Sequence, residues 1–262
     1  MSCLSAAVLG IVQGLGELLP ISSSAHLVLI PWLFGWQYQG QTYDVALHWG
    51  TLVAVCAYFR RDWIGLIKAG FSRQESPERR LFWSIVLATI PGGLAGLLLD
   101  KHMEQLFHSP VRIALNLTAF AALLLWADRK GRKSDDLKSL GPGSCLLIGI
   151  AQALAVAPGV SRSGITITAG LWLGLKREDA ARFSFLLSVP IIVAAGMLKL
   201  PHAGPAALTG PFWLGIAVTA LTGLAAIRFL LSFIKSYHDP FAVFVWYRCF
   251  LGIMCFLRAL HL

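Results

Sequence analysis

Two stretches of this chain, residues 3–35 and 144–174, are apolar along most of their length yet broken near the middle. The first break reads Glu17-Leu18-Leu19-Pro20-Ile21-Ser22-Ser23-Ser24, and the second reads Pro158-Gly159-Val160-Ser161-Arg162-Ser163-Gly164. Clusters of proline, glycine and serine interrupt helices. Each half is then about 12 residues long, short of the ~20 that a helix needs to cross a bilayer. The surrounding sequence nevertheless demands lipid, since Phe82 to Leu99 holds no Asp, Glu, Lys or Arg. Only 13% of the 262 residues are charged and mean hydropathy is +0.69, whereas a soluble domain carries about a quarter charged residues. A broken backbone at membrane depth is tolerated only inside protein or beside a water-filled cavity. The sequence therefore predicts an all-α polytopic membrane protein with two re-entrant helical hairpins.

Six further runs are long enough to span, roughly 42–60, 81–99, 111–127, 182–200, 211–231 and 240–259. The two broken segments also resemble each other. Gly10-Ile11-Val12-Gln13-Gly14-Leu15 matches Gly149-Ile150-Ala151-Gln152-Ala153-Leu154. Counting on from each glutamine, Ser22 and Ser24 fall opposite Ser161 and Ser163. Each hairpin is followed by three spans, and an odd number of spans reverses direction when repeated. An inverted-topology repeat follows, with halves at 1–130 and 140–262 whose hairpins meet near the midplane.

Basic residues set the orientation. Arg60, Arg61, Lys68, Arg73, Arg79 and Arg80 lie in one loop, Arg129, Lys130, Arg132, Lys133 and Lys138 in a second, and Lys176, Arg177 and Arg182 in a third. The opposite connections, 36–42, 100–110 and 201–210, offer only Lys101. Basic loops face the cytoplasm, so the first hairpin opens outward and the second enters from the cytoplasm. The net charge of +9 is accounted for by these loops, and no nucleic-acid partner is expected. The start, Met1-Ser2-Cys3-Leu4, lacks the basic stretch of a cleavable signal. Five scattered cysteines show no metal-ligand spacing and read as small buried hydrophobes.

Few ionisable groups remain at depth: Glu17, His26, His48, Arg162 and Arg248. Such groups are costly in a membrane unless paired or hydrated, which makes each a functional candidate. Glu17, His26 and Arg162 sit in the hairpins, together with five serines, and the repeat brings them into one cavity. That inventory suits phosphate. Arg162 can clamp phosphate oxygens with its planar fork, flanked by Ser161 and Ser163, with Gly159 and Gly164 allowing close backbone approach and half-helix amides pointing at the anion. Ser22, Ser23 and Ser24 open the half-helix bearing His26. Either Ser23 or His26 can serve as nucleophile, and His26 also as acid or base. Glu17 can hold a divalent metal or orient a base. Competing readings stand beside these. Serine runs cap half-helices, Arg162 and Glu17 can form a purely structural ion pair, and Gln13 can make a simple interhelical hydrogen bond. His48 reads as structural, while Arg248 suits snorkelling or a lipid headgroup.

At these segments the chain resembles the undecaprenyl-diphosphate phosphatases, the bacterial bacitracin-resistance family. The first motif runs from Gln13 through Glu17, Pro20 and the serines to His26, and the second, Pro-Gly-x-Ser-Arg-Ser-Gly, stands intact at 158–164 with Thr166 beyond. His48-Trp49-Gly50-Thr51 and the stretch from Arg182 to Pro190 also look familial, so the likeness covers essentially the whole chain. It implies a hydrolase of the bacterial plasma membrane, with its site toward the periplasm or exterior. The enzyme would remove the terminal phosphate of a polyprenyl diphosphate lipid, with Mg2+ or Ca2+ assisting, and so recycle the cell-wall lipid carrier. It implies Gln13, Glu17, Ser23, His26 and Arg162 as functional residues, with Glu17 and Gln13 toward the metal. Substrate contacts are expected from Ser22, Ser24, Ser161, Ser163, Gly159 and Thr166. Gln13 stands where a more acidic residue is usual, and Ala25 where glycine is. Homodimerisation is left open. The rivals are a lipid-phosphate flippase using the same midplane anion site, and an intramembrane serine protease, which Arg162 disfavours.

Overall fold

In the computed structural model, residues 1–107, 109–202, 204 and 209–260 are described, with side chains at 100–107, 202 and 260 excepted. The connection carrying Lys101 therefore has no side-chain account. The described residues are almost entirely helical. The first hairpin is α1 (Cys3–Leu18) and α2 (Ser23–Phe34), the second α7 (Pro142–Ala153) and α8 (Arg162–Trp172). The remaining helices are α3 (Gln41–Tyr58), α4 (Arg60–Gly70), α5 (Pro77–Phe107), α6 (Pro110–Lys130), α9 (Arg177–Lys199), α10 (Gly210–Ser236) and α11 (Ala242–Leu260). Short 3-10 turns at Leu137–Ser139, Leu154–Val156 and Leu200–His202 link or extend them.

Local chemistry sets these boundaries. Ser2 and Ser5 form a reciprocal capping box at the start of α1. Ser109 caps α6, which begins with Pro110 at a position where proline loses no hydrogen bond. Gly35, at φ 66°, stops α2.

Among the described residues, five helices are long and apolar enough to cross a membrane: α5, α6, α9, α10 and α11. The expected span at 42–60 is present as α3 but is less apolar, because Gln41, Asp44, His48 and Thr51 interrupt it. The sequence marked 60–80 as a basic loop. Its first part instead forms α4, whose only buried residues are Leu66 and Gly70.

Packing runs between the halves of the chain. α1 and α3 lie on α10, α7 lies on α5, α6 lies on α11, and α3 meets α9. The α1–α10 contact is made by small residues, as helix pairs in lipid favour. Thr219 Oγ1 donates to the Gly10 carbonyl at 3.0 Å, and a Cβ added at Gly14 would lie 2.8 Å from the Thr219 carbonyl oxygen. At the ends carrying the basic loops, Arg177 Nε and Nη2 grip fully buried Asp128 at 2.6 and 3.0 Å, and Arg182 reaches Asp62 at 2.7 Å. The cysteines are free. Cys145 and Cys255 are buried as expected, but Cys3 is exposed.

The close α1–α10 seam yields a prediction. Gly14→Ala forces backbone apart and should destabilise by about 1–3 kcal/mol, whereas a Cβ at Gly96 meets nothing within 4 Å. Thermal melting in detergent should show a lowered midpoint for Gly14→Ala and none for Gly96→Ala. Equal midpoints would contradict this packing.

Candidate active site between the two hairpins

The two hairpin breaks meet. Ser163 Oγ, in the second, donates to the Leu19 carbonyl of the first at 3.1 Å. Glu17 is almost fully buried, at 5% exposure, and gathers donors from four elements. Arg162 Nε donates to its Oε1 at 2.9 Å. Its Oε2 accepts from Ser23 Oγ at 2.6 Å and from Gln13 Nε2 at 3.3 Å. His48 Nε2 on α3 lies 3.0 Å from the same oxygen. Gly16 lets the hairpin close, since a Cβ there would stand 2.9 Å from Ser23 Cα.

Arg162 is already partly engaged, its Nη1 donating to the Ser184 carbonyl of α9 at 2.8 Å. Its Nη2 is buried and, among the described residues, without a partner. The ion pair that the sequence allowed as a structural alternative is thus formed, yet it leaves one donor nitrogen of the fork free. A cavity of about 930 Å³ opens here, lined by Glu17, Ser23, Ser24, Asp44, His48, Ser161, Arg162 and Ser163. Its remaining walls are largely apolar side chains of α5 and α9, including Ile90, Leu94, Leu97, Ile191, Met197 and Leu198. A polar floor beside greasy walls fits an amphiphile with an anionic head.

Several expected residues are placed elsewhere. His26 does not line this cavity. Its Nδ1–H donates to the Ser22 carbonyl at 2.7 Å and its Nε2 accepts from the Tyr247 hydroxyl at 2.6 Å. The imidazole beside Glu17 belongs to His48, which the sequence read as structural. The reason is geometric: His26 lies one turn into α2, on a face turned to α11. Gly159 is not a cradle for a ligand, since a Cβ there would strike the Ile113 carbonyl at 2.6 Å. Thr166 spends its hydroxyl on the Arg162 carbonyl and on Ser184 Oγ, both at 2.8 Å. Ser22 is buried outside the cavity, 3.3 Å from Ser24 Oγ. Ser161 does line the cavity, and its Oγ also accepts from the Gly164 amide at 3.1 Å, as an N-cap. Arg248 is fully buried rather than snorkelling.

The sequence also passed over Asp44 and Gln152. Gln152 is buried in the cavity wall with both amide atoms unpartnered. It was legible as the repeat partner of Gln13.

Comparison with known proteins places the chain in a family. A family model described as bacitracin resistance protein BacA matches residues 6–254. A protein of Pelotomaculum thermopropionicum named undecaprenyl-diphosphatase is 51% identical over 253 residues, covering 97% of this chain and 95% of its own. Proteins of the same name from Moorella thermoacetica and Elusimicrobium minutum are 50% and 46% identical, covering 97% and 99% of this chain and 97% and 99% of theirs.

Glu17 offsets the Arg162 guanidinium, so removing its charge leaves the largely buried Arg162 without its carboxylate. Breaking such a pair costs about 3–5 kcal/mol. Glu17→Gln should lower the melting midpoint clearly, and the double variant Glu17→Gln/Arg162→Met should destabilise less than the sum of its parts. Additive effects in that cycle would mean the pair is not formed.

Proposed function

Since the chain belongs to the bacitracin resistance protein BacA family, we infer that it is a membrane hydrolase converting undecaprenyl diphosphate to undecaprenyl phosphate and inorganic phosphate. The observation that carries this reading is the free Nη2 of Arg162 at the floor of an apolar-walled cavity, beside a serine hydroxyl already bonded to a buried carboxylate.

The site residues take roles from this geometry. Ser23 Oγ attacks the terminal phosphorus as its proton passes to Glu17 Oε2, 2.6 Å away. The bond from that phosphorus to the bridging oxygen breaks, and undecaprenyl phosphate departs. Water then hydrolyses the phosphoserine and frees inorganic phosphate. Arg162 Nη2 and the amides opening α8 oppose the charge that develops on the phosphoryl oxygens, usually the largest contribution in such sites. Ser24, Ser161 and Ser163 supply hydroxyls around the head, and His48 holds Glu17 in place through its Oε2. His26 serves as a support of the first hairpin turn rather than as a proton carrier.

A divalent metal, Mg2+ or Ca2+, fits beside this carboxylate. Gln13 Oε1 is buried without a partner next to Glu17, and these two residues would hold the ion. Among the described residues no group of three His, Cys, Asp or Glu that could hold a metal ion gathers, so further ligands would have to come from substrate and water, as is usual for Mg2+. When bound, the metal neutralises diphosphate charge.

The packing of α1 on α10 and of α7 on α5 supports halves at 1–130 and 140–262 as inverted repeats. With basic loops in the cytoplasm, the protein sits in the bacterial plasma membrane with its site open to the outer side, where the released lipid can re-enter the carrier cycle.

Purified protein in detergent should release phosphate from undecaprenyl diphosphate. Ser23→Ala should reduce release to background, and Arg162→Lys should cost about 10²–10³-fold. A chelator should suppress release and added Mg2+ restore it. Folded parent protein that binds the lipid but releases no phosphate would refute the reading and favour a carrier.

A further inference from the structure

Tyr247 and Arg248 are adjacent on α11, outside both sequence motifs and outside the cavity lining. Arg248 is fully buried, and among the described residues no carboxylate pairs with it. Its Nη2 donates to the carbonyls of Gly159 and Val160 at 2.9 and 3.0 Å, and its Nη1 reaches the Pro20 carbonyl at 3.4 Å. One guanidinium therefore grips both hairpin breaks. A cation held in a membrane protein by carbonyls alone is costly to keep, so its placement calls for a function.

The carbonyls it takes are informative. They come just before Ser22 and Ser161, which are two of the three non-glycine residues with positive φ among those described, at 76° and 72°. These serines are repeat partners, each nine residues beyond its glutamine. Left-handed backbone at a residue with a side chain is strained and persists only where the surroundings impose it. The next residues, Ser23 and Arg162, open α2 and α8. Tyr247 holds the first turn from its other side. Its hydroxyl bonds His26 Nε2 at 2.6 Å, and His26 Nδ1–H donates to the Ser22 carbonyl at 2.7 Å.

We propose that Tyr247 and Arg248 are positioning residues for the reaction: together they hold the two strained hairpin turns in the conformation that presents Ser23 and Arg162 to the same phosphoryl group. This rests on the roles given above to Ser23 and Arg162. Neither side chain touches the substrate, and both act through backbone that the two halves present to each other. Lysine cannot replace Arg248, because one ammonium cannot span carbonyls from both hairpins.

The test uses the full chain in detergent, comparing Tyr247→Phe, Arg248→Lys and Arg248→Met with the parent in melting, KM and kcat for undecaprenyl diphosphate. Tyr247→Phe loses only one hydroxyl from a residue that is itself exposed and should melt like the parent, with KM within about threefold and kcat about tenfold lower. Arg248→Lys should lower kcat about 10²-fold per folded molecule, the scale of a small misplacement of reacting groups, again with KM little changed. A purely structural role would lower the melting midpoint and the folded fraction but leave kcat per folded molecule unchanged. Parent-like kcat in folded Tyr247→Phe and Arg248→Lys overturns the proposal, whether or not Arg248→Met folds. Ser23→Ala separates the two readings: if it still turns over at the parent rate, the site assignment itself fails, whereas an inactive Ser23→Ala beside fully active Tyr247→Phe and Arg248→Lys defeats only the positioning role.

Discussion

The buried carboxylate of Glu17 is the constraint around which this molecule is arranged. A charge at that depth is untenable alone, and its partners come from separate parts of the chain: Arg162 from the second hairpin, His48 from α3, Ser23 and Gln13 from its own hairpin. Satisfying one acid thus brings both hairpins and α3 to a single point. Among the described residues, the same contacts leave Arg162 Nη2 unpaired and Ser23 Oγ bonded to the Glu17 carboxylate. The interaction that makes burial tolerable also assembles the proposed reaction site.

Lipid dictates where such a site can be. Continuous helices satisfy their own backbone and have nothing left for a ligand. The breaks at 19–22 and 157–161 free amides and carbonyls, and the structure divides them. Carbonyls of Pro20, Gly159 and Val160 turn to buried Arg248, and the Pro158 carbonyl accepts from Asn116 Nδ2 at 2.8 Å. The residues that open α2 and α8, Ser23, Ser24, Arg162 and Ser163, line the cavity. The apolar walls from α5 and α9 then suit a long hydrocarbon tail attached to the anionic head.

Much of this was legible in the sequence. The broken apolar runs gave the hairpins within about two residues of their observed limits. The lone acid and lone arginine in those runs named the pair that meets. Local pattern could not say which face of a 12-residue half-helix turns inward. His26 and His48 both sit among apolar neighbours, and only tertiary packing decides that His48 meets Glu17 while His26 meets Tyr247, 221 residues away. Gly159 belongs to the second motif and Thr166 lies just beyond it, but they serve its packing against α6 and α9. Arg248 did carry a signal, as an isolated charge in an apolar helix. What the sequence lacked was the fact that three carbonyls would need it.

The most direct test of the account is a structure of the protein with a methylene-bridged, non-hydrolysable polyprenyl diphosphate analogue. The account predicts the terminal phosphonate on the cavity floor, within hydrogen-bond distance of Arg162 Nη2 and with Ser23 Oγ facing its phosphorus, while the tail lies between α5 and α9. A head group seated away from both hairpins, with the Glu17–Arg162 contact undisturbed and Ser23 out of reach, would contradict it.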